Sequence, residues 1–161
     1  MNKLKIKAFV VHGHNELARL ELCELLNNEF GLETIVLKNK PALGNTIIEN
    51  FEKLTSDCEV AIVLLTGDDI AFDNSRPTLR SRQNVIFELG YLCALLGRER
   101  VCFVYQENVE LPSDLQGILY YPFRESVREV AFELRKHLEE LDLLSKKDVE
   151  SVIHEYRLKS K

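Results

Sequence analysis

The sequence predicts a doubly wound α/β fold, and three observations carry that reading. Apolar β-rich runs alternate with helix-capping signals along the chain. The run "EVAIVLL" (59–65) is apolar throughout after its first residue. That is the pattern of a strand covered on both faces of a parallel sheet. Five such runs with helical patterns between them call for right-handed crossovers. The expected architecture is a flavodoxin-like five-stranded parallel sheet with helices on both faces.

Each element has its own local reason. "KIKAFVV" (5–11) reads as the first strand. Its basic-then-apolar start has too short an apolar part, and no small-residue cleavage site, for a signal peptide. Asn15 can cap a helix from Glu16 to about Phe30, which Gly31 closes. "ETIVL" (33–37) is a second strand, and "KNKPALGN" (38–45) a loop with Pro and Gly. Thr46 and Glu49 form a capping box for a helix to about Ser56. After the third strand (59–65) comes "TGDDIAFDNSRPTLRSR" (66–82), read as a long polar loop. A helix to about Leu96 follows, then a fourth strand "VCFVY" (101–105), a turn-rich "ENVELPSDLQ" and a fifth strand "GILYYPF" (117–123). Ser126 and Glu129 make another capping box, for a helix to about Leu144. The domain is thus expected at 1–144, with 145–161 a charged helical tail or linker that has its own helix-start signal at Ser145 and Asp148.

The 161 residues suit one domain with a full core. A net charge of −5 argues against a general nucleic-acid surface. No apolar run is long enough to span a bilayer. Cys23, Cys58, Cys93 and Cys102 form no C-x-x-C pair, and each has apolar neighbours. Buried free thiols are the expectation, hence a reducing, cytoplasmic compartment.

The chemistry is sought at the strand carboxyl ends, where doubly wound sheets bind ligands. Glu88 is a carboxylate inside the apolar run "NVIFELGYL". Every face of that helix is mostly apolar, which predicts a buried helix with Val85, Ile86, Phe87, Leu89, Tyr91 and Leu92 in the core. A carboxylate there is paired, solvated by a cleft, or used. The helix N-terminus nearby favours its ionised form. Glu88 in a ligand crevice and Glu88 paired with Arg80 or Arg82 both fit the pattern. Tyr91 can hydrogen-bond Glu88, stack on a ring, or be a plain core aromatic. In "HGHN", Gly13 permits an unusual turn, and the backbone from His14 to Asn15 can hold a phosphate at a helix start. No G-K-[ST] follows, so this is not a P-loop. His12 and His14 are too weak a pattern for a metal site, and none is expected. Gly44 and Thr46 can take a phosphate or simply form a capped turn. Asp68 and Asp69 can contact ribose hydroxyls or be solvated. Arg76, Arg80 and Arg82 can receive an anionic substrate or form a solvated cluster.

The stretches "FVVHGHNE", "LGNTIIENFE", "AIVLLTGDD", "RQNVIFELGYL" with "LGRERVCFVY", and "ELPSDLQGILY" together carry a resemblance. From about Lys5 to Leu141 the chain resembles the prokaryotic TIR (Toll/interleukin-1 receptor) domains, which occur fused to STING or cyclic-nucleotide-binding domains in anti-phage systems. The resemblance implies a TIR fold and cleavage of NAD+ at the nicotinamide–ribose bond, yielding nicotinamide and ADP-ribose or a cyclic ADP-ribose. NAD+ is then substrate, with no cofactor. It implies Glu88 as the catalytic glutamate, with Asn84 and Tyr91 as candidates for shaping the ribose pocket. It also implies a gating and assembly loop at 38–45, self-association through TIR surfaces, and a sensor domain or separate activator outside this chain. Asn45 stands where the family often has a basic residue, and "TGDD" where "TPDD" is common. Three rival functions stay open: a non-catalytic TIR assembly module, a nucleoside 2-deoxyribosyltransferase-like enzyme, and an inert nucleotide-binding protein. Neither direct nucleic-acid binding nor membrane association is expected.

Overall fold

The structure, a computed structural model, describes residues 5–36, 46–73, 76–80, 83–111 and 119–145. In chain order the strands are β1 (Lys7–His12), β2 (Glu33–Val36), β3 (Val60–Leu65), β4 (Asp69–Asp73), β5 (Arg76–Arg80), β6 (Val101–Gln106), β7 (Val109–Glu110) and β8 (Leu119–Phe123). The α-helices are α1 (Glu16–Glu24), α2 (Ile47–Thr55), α3 (Gln83–Leu96) and α4 (Ala131–Glu140). Five strands form one parallel sheet in the order β2-β1-β3-β6-β8. This is the flavodoxin-like doubly wound order.

Strand alternation divides the core in two. Ala8, Val10, Ile62, Leu64, Cys102 and Val104 face α1 and α4, where Leu22, Leu26, Leu134 and Leu138 cover them. Phe9, Val11, Ala61, Val63, Leu65 and Phe103 face α2 and α3, against Phe51, Val85, Leu89 and Leu92. All six residues of β3 are buried, as its continuous apolar run required.

The local stop and start signals act as the sequence indicates. The first helix passes from α1 into a π-helical turn at Leu25–Glu29, and Gly31 (φ +74°) ends it. Both capping boxes form, at Thr46 before α2 and at Ser126 before a 3-10 turn (Val127–Val130) that leads into α4. The last helix stops at Glu140, short of the expected Leu144, because Asp142 takes a left-handed conformation (φ 58°).

Three expectations are corrected. The segment after β3 is not a loop: β4 and β5 form an antiparallel hairpin, and β7 joins β5 in parallel to make a three-stranded sheet. The β5–β7 pairing is non-local, and β7 has two residues, so no periodic signal announced that sheet. Nor is α3 buried all round. Val85, Leu89 and Leu92 are buried at helical spacing, Tyr91 is half-buried, and Ile86 and Phe87 are 38% and 59% exposed. At about 100° per residue, Phe87 points away from the Val85 stripe, and the sheet takes only one side of the helix. Of the cysteines, Cys58 and Cys102 are buried and Cys23 and Cys93 half-buried; all four are free. Burial pushes each thiol up, Cys58 to about 11 and Cys102 to about 12. Thiols held protonated are poor nucleophiles.

Candidate functional site

The site follows from the strand order. From β1 the chain crosses to β2 on one side, and β3 then lies on the other side of β1. The ends of β1 and β3 therefore flank the topological switch point, where doubly wound sheets open a crevice. The register pairs His12 with Leu64, so Gly13 and the Thr66–Asp68 turn continue the two strands directly into that crevice.

The turn is held tightly. The Asp68 N–H donates to the Thr66 carbonyl at 2.8 Å, and the Thr66 hydroxyl donates to Asp68 Oδ1 at 2.9 Å. Thr66 is 2% exposed. The other oxygen, Asp68 Oδ2, is shut off from solvent without a hydrogen-bond partner. It rests against Gly13, where a built Cβ would overlap it outright. Gly13 is buried and is absent from the positive-φ residues, so its glycine serves the close approach and not the unusual turn expected of it. Beside it, His12 Nδ1–H donates to the Gly13 carbonyl at 2.8 Å. Burial lowers the His12 pKa below its ordinary value, against that hydrogen bond, which raises it.

Glu88 stands in the second turn of α3, past the first turn where the helix dipole acts most strongly. It is half-buried. On a helical wheel it falls at the border of the buried stripe, between Leu92 and the exposed Leu95 and Asn84. Tyr91, one turn further on, lies on the same flank and meets the Phe51 ring of α2 edge-on at 5.1 Å. Phe51 in turn meets Phe9 of β1 at 5.3 Å. This aromatic chain fixes which way the flank faces. Glu88 overlooks the side of α3 turned toward α2, nearer the carboxyl end of the sheet than Tyr91. One side of this half-buried carboxylate is therefore walled by apolar groups.

The remaining candidates divide. Asn15 caps α1, its Oδ1 accepting from Ala18 N–H at 3.0 Å, and Thr46 caps α2, its hydroxyl oxygen accepting from Glu49 N–H at 3.2 Å. His14 is exposed. Asp69 opens β4, and of it the backbone alone is described. Arg80 makes a two-pronged bridge to Glu110, at 2.6 and 3.0 Å. Gly44, Arg82 and the 38–45 loop lie outside the described residues. Thr66 and Phe51 escaped the sequence reading; the T-x-D spacing at 66–68 was the available signal for the first. Among the described residues no three His, Cys, Asp or Glu side chains gather as a metal would need, and no helix is long and apolar enough to cross a membrane. A cavity of about 430 Å³ lined by Ile6, Phe30, Leu32 and Leu143 lies at the amino end of β1 and β2, opposite the crevice.

Residues 7–125 match the family model of the CAP12/Pycsar effector protein TIR domain. The chain belongs to that family. It is 43% identical to YuaY of Escherichia coli (strain K12) over 118 residues, covering 71% of this chain and 38% of that protein. Protein tirC of Dictyostelium discoideum is 37% identical over 145 residues, 83% of this chain and 72% of tirC. The Pycsar effector protein BcPycTIR of Burkholderia cepacia is 27% identical over 155 residues, 88% of this chain and 50% of that effector. The chain thus spans well under two thirds of the length of YuaY and of BcPycTIR. Its TIR domain includes both the Gly13–Asp68 crevice and Glu88.

Proposed function

We propose that this TIR domain is an NAD+ glycohydrolase, a hydrolase of N-glycosyl bonds, acting in anti-phage defence. The observation that carries the reading is Glu88. It is a half-buried carboxylate on the flank of α3 turned toward α2, at the position the family resemblance makes catalytic. The N-glycosidic bond breaks with its electron pair going to nicotinamide, which thereby loses its positive charge and needs no proton. Positive charge develops on the ribose as in glycoside hydrolysis. A fixed carboxylate beside that carbon stabilises the charge, and does so more strongly where water is thin. Water then adds to C1′ and gives up a proton, leaving ADP-ribose. Attack by the adenine instead gives the cyclic product.

Removing the charge from Glu88 tests this with little change of shape. Glu88→Gln is expected to lower nicotinamide release about 100-fold or more, as for loss of one electrostatic stabiliser. A folded variant with unchanged turnover would end the proposal.

The same reading includes self-association. Phe87 and Leu95 expose 59% and 46% of their surface on the side of α3 turned away from Val85, about 80° apart around the helix. Exposed apolar side chains gathered on one side of a helix are a common mark of an interaction surface. Phe87→Lys is expected to leave stability within about 0.5 kcal/mol and to abolish any rise of specific activity with protein concentration, read by light scattering and NAD+ consumption in parallel. A sensor segment or a separate activator completes the system.

A further inference from the structure

We propose that Asp68 is the acceptor for a ribose hydroxyl at the switch-point crevice, and that Gly13 is glycine to give its carboxylate room. The inference rests on the nucleotide substrate proposed above but concerns a different residue from Glu88.

Three independent observations meet here. Asp68 Oδ2 is an acceptor without a donor, while Oδ1 is held by Thr66. Buried polar groups are nearly always paired, and one that is not needs an explanation. The position is the crevice itself, because Gly13 and Asp68 extend the two strands that flank the switch point. And Gly13 is buried under this carboxylate without needing a glycine conformation; any side chain there would displace Asp68. Backbone and turn are shaped around a carboxylate that folding alone leaves half-used.

An ionised carboxylate accepts and cannot donate. Its ligand must present O–H or N–H groups. The nearest neighbours reinforce this. His12 is held toward its neutral form by burial, and the Arg19 guanidinium is turned to Glu16 at 2.6 Å. With neither group turned to Asp68, the site offers an acceptor and, among the described residues, no cation that would hold a phosphate. The "HGHN" turn is better matched to the sugar of a nucleotide than to its phosphates. A ribose presents vicinal hydroxyls to such a group. Asp68 is half-buried, so a turn of its side chain brings Oδ2 from Gly13 to the ligand.

NAD+ carries two riboses, and the test separates them. Nicotinamide mononucleotide and AMP, each beside its 2′-deoxy counterpart, are titrated calorimetrically into the unaltered chain, Asp68→Asn and Gly13→Ala, with Tm recorded for each. A hydrogen bond to a charged group predicts that one of the two nucleotides is preferred over its deoxy form by about tenfold or more. Asp68→Asn is expected to reduce that preference severalfold. Gly13→Ala, whose methyl takes the place of Oδ2, is expected to do the same. Which nucleotide shows the preference names the ribose. No preference in the unaltered chain, no binding of either nucleotide, or a preference unchanged in Asp68→Asn would each overturn the proposal. A lowered Tm with the preference intact would make Asp68 structural and overturn it too. A preference that depends on Asp68 in a chain releasing no nicotinamide would uphold this site and remove the hydrolase reading alone.

Discussion

The large sheet and the small one are held by different forces. In the five-stranded sheet every residue of β3 is buried, and Ile62 and Val63 are fully enclosed between two helical layers. In the three-stranded sheet Ile70 is 67% exposed, Leu79 is 39% exposed, and a surface bridge runs from Arg80 to Glu110. Yet the small sheet is the covalent path between the two candidate site carboxylates. Asp68 immediately precedes β4, and α3, with Glu88, follows β5. The five-stranded sheet positions the crevice, and the β4–β5 hairpin joins Asp68 to the helix that carries Glu88. Segments that move in function are drawn from the less stable parts of a fold.

The contrast breaks first at matched isoleucines. Ile62→Ala is expected to cost about 2–5 kcal/mol, as for a core truncation. Ile70→Ala should stay within about 0.5 kcal/mol. Urea unfolding of the two variants measures the difference, and equal losses would mean that the small sheet is as load-sharing as the large one. A smaller effect sharpens the role of the bridge. Arg80→Ala removes an exposed ion pair, and such surface pairs contribute little to stability. If the small sheet sets the distance between Asp68 and Glu88, NAD+ turnover falls by more than the loss in Tm accounts for. Turnover that tracks Tm would make the bridge merely structural.

The smallest expected effect is at His12, on the end of β1. Its pKa is lowered in the folded chain, so the native state prefers the neutral ring. That contribution is complete above the ordinary value of 6.5 and is lost as pH falls through the lowered native value. His12→Asn should therefore flatten the fall in Tm between about pH 7 and 5. A slope unchanged by the substitution would show that other groups set it.

The large sheet was legible because its signals are local or strongly periodic. The Thr46 and Ser126 boxes, the Gly31 stop and the continuous β3 run each act within a few residues. The small sheet was not, since β5 finds β7 across a long stretch of chain, with only Leu79–Val109 and Arg80–Glu110 in register. Glu88 could be singled out as a carboxylate in apolar company. Its neighbours Ile86 and Phe87 were misplaced because a helix rich in apolar residues all round does not say which side the sheet will take. Asp68 was visible as a candidate, but also, and somewhat more readily, as a solvated loop acid.

By itself the sequence determined the doubly wound order of strands and helices and the places where helices begin, because short-range hydrogen bonding and hydrophobic period govern these, and its motifs carried the family resemblance. Only the tertiary structure decided which flank of α3 carries Glu88 toward α2, through the Tyr91–Phe51–Phe9 contacts. It alone brought Asp68 against Gly13, leaving one oxygen unpartnered. The reason is physical: a strand alternation sets inside from outside, but the meeting of two turns at a switch point depends on how neighbouring strands pair, and that is a property of the folded sheet.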